Sequence, residues 1–237
     1  QRIQQTADHI MNKQDRLEDG TFIRIRFGKT TLWADDLYMS VPFLARMGHF
    51  TNDPLYFDEA AAQVQHFHEK LYSPERGLYY HCWYKELKQH GVELLALLPE
   101  GHPQRETIRR IFFDTLTGIS RYQGKNGLWH QLLDKPDSFE ESSSTAMFVY
   151  SIAKGVNQGW IDDMYTSIAV RGWEGLERCI TAGGDLKQVS TGFNLRQDLP
   201  YYYNRPPEEK GVHGEGAFLL AANEVRQLKQ YRDTIWC

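Results

Sequence analysis

Apolar residues recur along most of this chain at intervals of three and four, the spacing that lines one face of an α-helix. The stretch 54–72 shows it plainly, with Tyr56, Ala60, Val64, Phe67 and Leu71 on one side. Residues 31–48 read as a strong helix ending at Gly48, and 2–17 as a polar, mildly amphipathic one. Further helices are expected at 92–98, 103–120, 142–158, 161–181 and 214–235. Alternation of Val, Ile and Thr long enough to build a sheet is not evident, so the expected class is all-α.

Between the helices a theme recurs. Asp19-Gly20-Thr21-Phe22, Arg76-Gly77-Leu78-Tyr79-Tyr80-His81 and Asn126-Gly127-Leu128-Trp129-His130 each place glycine ahead of an apolar residue and then aromatics. Each follows one helix and precedes another, with about 50 residues between turns, the size of a helical hairpin and its loops. Hairpins repeated at that period bury their apolar faces on one another, and the simplest closed form is a toroid. Its turns would lie at one rim and carry the ligand site. No Ser- or Pro-rich linker divides the 237 residues, so a single domain over 1–237 is expected.

Composition narrows the function classes. The net charge of −4 argues against a surface for nucleic-acid phosphates, which are usually met by basic proteins. No apolar run reaches the roughly 20 residues of a membrane-spanning helix. Aromatics stand out, with 6 Trp, 13 Tyr and 12 Phe; such rings stack on sugars and also fill large cores. Cys82, Cys179 and Cys237 lack metal-site spacing and leave the compartment open. The chain starts at Gln1 without an initiator Met or a signal-type apolar stretch, so its natural N-terminus is expected to lie further upstream.

The densest candidate chemistry is Thr31-Leu32-Trp33-Ala34-Asp35-Asp36-Leu37-Tyr38-Met39-Ser40-Val41-Pro42-Phe43-Leu44, two carboxylates in an apolar stretch. On a helix, Asp35 shares a face with Tyr38, Met39 and Pro42, so bulky apolar groups are expected to flank it. Burial favours the protonated carboxyl that a general acid needs, whereas a helix N-terminus favours the anion. From the residues alone, Asp35 and Asp36 fit a pair of helix-dipole carboxylates as well as they fit a catalytic acid.

The run from Trp33 to Leu44 resembles the signature of the unsaturated rhamnogalacturonyl hydrolases, glycoside hydrolase family 105. Three more segments agree in order: Gly77-Leu78-Tyr79-Tyr80-His81; Gly127-Leu128-Trp129-His130-Gln131 leading to Glu141-Ser142-Ser143-Ser144-Thr145-Ala146-Met147-Phe148; and His213-Gly214-Glu215-Gly216-Ala217-Phe218-Leu219-Leu220-Ala221. The resemblance covers nearly the whole chain. It implies an (α/α)6 toroid, incomplete here, that acts without metal or organic cofactor. It implies a substrate too: a pectin-type oligosaccharide whose non-reducing end is a 4,5-unsaturated uronate. In such enzymes the aspartate at the place of Asp35 protonates C4 of the enol ether and helps water attack C5. The hemiketal then opens and the neighbouring sugar leaves.

His81 matches the family's substrate-site histidine, and Trp33, Trp129, His130, Gln131 and His213 complete the expected substrate-binding set. Trp129 suits a sugar platform or the core equally, and the serines after Glu141 suit a helix cap. Glycines beside His213 would let backbone and ligand approach. Two departures matter. Family members carry at least one more hairpin upstream, with a second essential aspartate. They also carry a Trp-Gly-Arg-Gly-Asn-Gly-Trp-like loop near 90–92, expected to hold the uronate carboxylate, which this chain lacks. A sugar-binding or scaffold relative without turnover therefore stays open. So does another helical-toroid enzyme, an epimerase or a saturated-glycan hydrolase. Oligomeric state is not legible.

Overall fold

The structure is a computed structural model that describes residues 2–26, 29–80, 91–191 and 199–229. Helices dominate, as expected. The chain falls into two compact units, Gln1–Thr115 and Leu116–Cys237. The boundary lies inside helix α5 (Arg105–Ser120).

In the first unit, α1 (Arg2–Asn12) precedes a ribbon of β1 (Arg24–Arg26) and β2 (Lys29–Thr31), followed by α2 (Ala34–Thr51) and α3 (Pro54–Leu71). The first helix stops at Asn12 instead of 17, because residues from Lys13 onward enter a turn. Helices α2 and α3 form the hairpin whose inner faces carry Leu37, Val41, Leu44 and Ala45 on one side and Tyr56, Ala60, Val64 and Phe67 on the other. Gly48 does not end α2. A Cβ there would lie 2.8 Å from the Phe57 ring, so this glycine permits close helix contact. The helix continues to Thr51 and stops at Asn52, which adopts the left-handed conformation with φ 56°. Asp53 then caps α3 by accepting from the Leu55 N–H at 3.0 Å, with Pro54 in the first turn. Strands β3 (Tyr72–Ser73) and β4 (Leu78–Tyr79) follow, then the two-turn helix α4 (Gly91–Leu97).

The second unit is centred on α6 (Ser142–Asn157), which is buried along most of its length. It packs against α7 (Thr166–Glu177) and α9 (Val212–Val225). Gly214 lies against Ser143, while the Asn157 amide donates to the Glu224 carbonyl at 2.9 Å, so α6 and α9 run parallel. Strand β5 (Trp129–His130) pairs antiparallel with β6 (Glu140–Glu141), directly before α6. Strands β7 (Val189–Ser190) and β8 (Pro207–Glu208) flank the short helix α8 (Leu199–Tyr203). The helix expected over 161–181 is shorter, with a 3-10 turn at Asp163–Tyr165 ahead of α7. Helix α9 starts at Val212 and ends at Val225, earlier at both ends than expected.

Three of the turns share one construction. Leu17, Gly124 and Thr181 each donate their N–H to the carbonyl four residues on, and each accepts from the glycine three residues on. Those glycines, Gly20, Gly127 and Gly184, have φ of 88°, 85° and 86°. A residue pair just outside each turn closes it: Arg16 with Phe22, Gln123 with Trp129, Ile180 with Leu186. Left-handed backbone at that point favours glycine. The turn at Gly77 is a variant, in which Gly77 donates to Ser73 inside the β3–β4 ribbon. The repeat is thus confirmed with a changed membership, since the Gly184 turn had not been expected.

Candidate active site

The ribbon β1–β2 delivers the chain to the start of α2. Trp33 stands at the N-cap in extended conformation and offers no side-chain cap, so Asp35 and Asp36 supply negative charge to the first turn. Arg24, opposite Thr31 on the ribbon, donates from Nε to Asp36 Oδ1, and its Nη2 forms an ion-pair contact with the same oxygen. The Thr31 hydroxyl donates to the Arg24 carbonyl at 2.9 Å, and the Trp33 indole N–H donates to the Thr31 hydroxyl at 2.8 Å. Arg24 also lies over the Trp33 ring, 5.8 Å from its centroid. Asp36 is therefore a structural carboxylate, bound to a guanidinium.

Trp33 is 6% exposed and its polar edge is engaged internally. It packs as part of the ribbon-helix junction, which corrects its expected role as a sugar contact. Asp35 is half-buried. The apolar flank expected around it is weaker than its sequence face suggested: Tyr38 and Met39 are 42% and 66% exposed, and of that face Pro42 alone is buried. His81 and the stretch from Lys88 to His90 lie outside the described residues.

In the second unit, the N-terminal end of α6 gathers His130, Gln131 and His213. His130 donates from Nδ1 to the Ser138 carbonyl at 2.6 Å, which leaves Nε2 as its other polar atom. Gln131 fixes its backbone on the Phe139 carbonyl, while its side-chain Oε1 is buried without a hydrogen-bond partner among the described residues. An orphaned buried acceptor of this kind is uncommon and marks a place where a donor would be welcome. His213 is exposed on the first turn of α9. Beside it, Gly214 is filled against Leu186, Ser143 and Val189, so that glycine serves helix packing, not ligand approach.

Trp129 is not a sugar platform. It is fully buried, donates its indole N–H to the Ile119 carbonyl at 2.8 Å, and sets its ring edge-on to Phe148. The serines after Glu141 are not the cap either. Glu141 is: its carboxylate, 2% exposed, accepts from the N–H groups of Ser143, Ser144 and Ser190 and from the Ser143 hydroxyl. Arg205, also buried, is attracted to Glu141, and burial pulls its guanidinium below the usual range. Sequence reasoning missed both Arg24 and Arg205. The alternating Arg24-Ile25-Arg26, followed by Gly28 and the β-favouring Thr30-Thr31, was a hairpin signal for the first; no sequence signal marks the second.

A family profile described as Glycosyl Hydrolase Family 88 matches residues 1–93 and 90–229. The chain belongs to that family. Among curated members, it is 25% identical over 214 residues to the unsaturated rhamnogalacturonyl hydrolase YesR of Bacillus subtilis, covering 84% of this chain and 60% of the relative. It is 28% identical over 257 residues to an unsaturated 3S-rhamnoglycuronyl hydrolase of Formosa agariphila, covering 94% and 65%. A solved structure of a possible family 105 member from Salmonella enterica serovar Paratyphi A superposes with a TM-score of 0.84 at 27% identity, over 98% of this chain and 65% of the other. The chain has the helical-toroid fold class of these glycosyl hydrolases, and it spans about 60 to 65% of the length of these relatives. Among the described residues no group of side chains could hold a metal ion, and no helix is long and apolar enough to cross a membrane.

Proposed function

We propose that this chain acts on a 4,5-unsaturated uronate at the non-reducing end of a pectin-type oligosaccharide, hydrating the double bond with Asp35 as proton donor. The observation that carries the reading is the division of labour at the start of α2. Asp36 is bound by Arg24, and the neighbouring half-buried Asp35 occupies the position that the family motif gives to the acid. The relatives support the substrate class, one being an unsaturated rhamnogalacturonyl hydrolase and the other an unsaturated 3S-rhamnoglycuronyl hydrolase.

The chemistry suits one carboxyl. Proton transfer from Asp35 to C4 leaves an oxocarbenium-like centre at C5, and the resulting carboxylate accepts a proton from the water that attacks there. The hemiketal opens to a ketone at C5, and the aglycone departs from C1. The distance rule for paired glycosidase carboxylates does not apply, because C1 is not attacked. His130 through Nε2 and Gln131 through Oε1 are proposed as substrate contacts, with His81 and His213.

The test is direct. Incubation with a lyase-generated unsaturated disaccharide should abolish the ultraviolet absorbance of the conjugated enol, and Asp35→Asn should not. A second reading, a sugar-binding relative without turnover, draws on two observations. The family match breaks into two stretches meeting at 90–93, and the Formosa alignment of 257 positions exceeds the 237 residues here. Positions of the relative thus lack counterparts, in keeping with the absent arginine-bearing loop. Tight binding of the disaccharide without decay by the wild-type chain would select that reading.

A further inference from the structure

We infer that Arg24 holds the substrate's carboxylate and so sets the preference for a uronate over a neutral sugar; the inference rests on the function proposed above. Arg24 Nε and Nη2 both address Asp36 Oδ1, which fixes the plane of the guanidinium. Its Nη1 makes no hydrogen bond within the described chain, and the side chain is one-third exposed, 33% by area. The backbone is held too, through the Thr31 hydroxyl on the Arg24 carbonyl. Arg24 is thus a preorganised fork with one edge occupied by Asp36 and a side chain that solvent still reaches. Such a fork matches a carboxylate in geometry and charge.

Substrate chemistry places the carboxylate near this edge. C6 is bonded to C5, and C5 to C4, the atom that receives the proton. Whatever binds the carboxylate must therefore lie within about a side chain's reach of the acid. Arg24 is clamped to the residue that follows Asp35 in the first turn of α2. Asp36 is then a positioning residue, acting through Arg24. This assigns to the ribbon the task that the loop missing near 90–92 has in the family's pattern.

Binding is measured by calorimetry on Asp35→Asn, which leaves the ligand intact, using an unsaturated digalacturonate and the ester in which the unsaturated residue's carboxylate is methylated. The acid should bind at least about tenfold more tightly than the ester, as expected for a lost charge-assisted bond. Adding Arg24→Gln should erase that preference while leaving ester affinity unchanged, and Arg24→Lys should keep part of it. A purely structural role would weaken both ligands equally and overturn the inference. So would an acid preference that survives Arg24→Gln, or failure of the parent to bind either ligand. Acid preference through Arg24 without turnover in the wild-type chain would refute the enzymatic reading and leave this one standing.

Discussion

Replacing Glu141 with glutamine exchanges one carboxylate oxygen for an amide nitrogen at the point where α6 begins. Among its hydrogen bonds, the carboxylate accepts on Oε1 from Ser143 N (3.2 Å), the Ser143 hydroxyl (2.6 Å) and Ser190 N (2.9 Å), and on Oε2 from Ser144 N (2.6 Å). Glutamine keeps its oxygen on the side with three donors, which turns its NH2 toward the Ser144 N–H. One charge-assisted bond is lost and two donors face each other in a buried site. A hydrogen bond to a charged group contributes ~1.5–3 kcal/mol, and the interaction of an anion with a helix N-terminus up to ~1–2 kcal/mol. The expected loss is about 3 kcal/mol, equivalent to a fall in Tm of roughly 6–12 °C for a chain of this size. Thermal unfolding followed by far-ultraviolet circular dichroism, with Glu141→Asp as the variant that keeps the charge, measures it. A loss below about 1 kcal/mol would refute the assignment of Glu141 as the charged cap that ties residues 189–190 to α6.

Three other outcomes follow from the geometry. Gly127→Ala should prevent folding of the second unit, because its Cβ would stand 2.0 Å from the Arg171 carbonyl oxygen at a φ of 85°; Gly159→Ala, with φ 66° in open space, should cost only about 1 kcal/mol. Circular dichroism and proteolysis separate the two. His68, stacked on Tyr72 and bonded to the Tyr79 hydroxyl, is held by burial below its usual pKa of about 6.5. Both states are neutral above that value. As pH falls through it, the unfolded chain takes up a proton first, so stability should decline toward the lowered folded value, and His68→Gln should flatten that limb of a urea-unfolding series. Burial raises the Tyr79 phenol above its ordinary pKa of 10, so a spectrophotometric tyrosine titration should leave it protonated until the chain unfolds in alkali.

Much of the fold was legible because helix signals are local. The apolar spacing of Tyr56 to Leu71 and the Asp53-Pro54 start gave α3 to within a residue. Boundaries failed where tertiary contact decides them, as at Gly48, whose missing side chain admits Phe57 and does not end a helix. The Gly184 turn escaped notice because Leu186 stands where Phe22 and Trp129 stand in its equivalents; backbone bonding, not aromatic character, defines the repeat. Trp129 illustrates the converse. An aromatic after a turn glycine suits a platform or a core equally in sequence, and only three-dimensional packing consigns it to the core. The residues alone leave the adjacent Asp35 and Asp36 equivalent; the motif resemblance singles out Asp35, and the structure adds that Arg24, eleven positions upstream of Asp35, binds Asp36.

The most direct test of the proposed chemistry is to run the reaction in deuterium oxide and examine the released uronate by nuclear magnetic resonance. Proton transfer to the alkene requires one deuterium on C4 of a 5-keto product, formed by the wild-type chain and absent with Asp35→Asn. Release of a uronate that retains its double bond, with no label on C4, would mean attack at the anomeric carbon and would contradict the account.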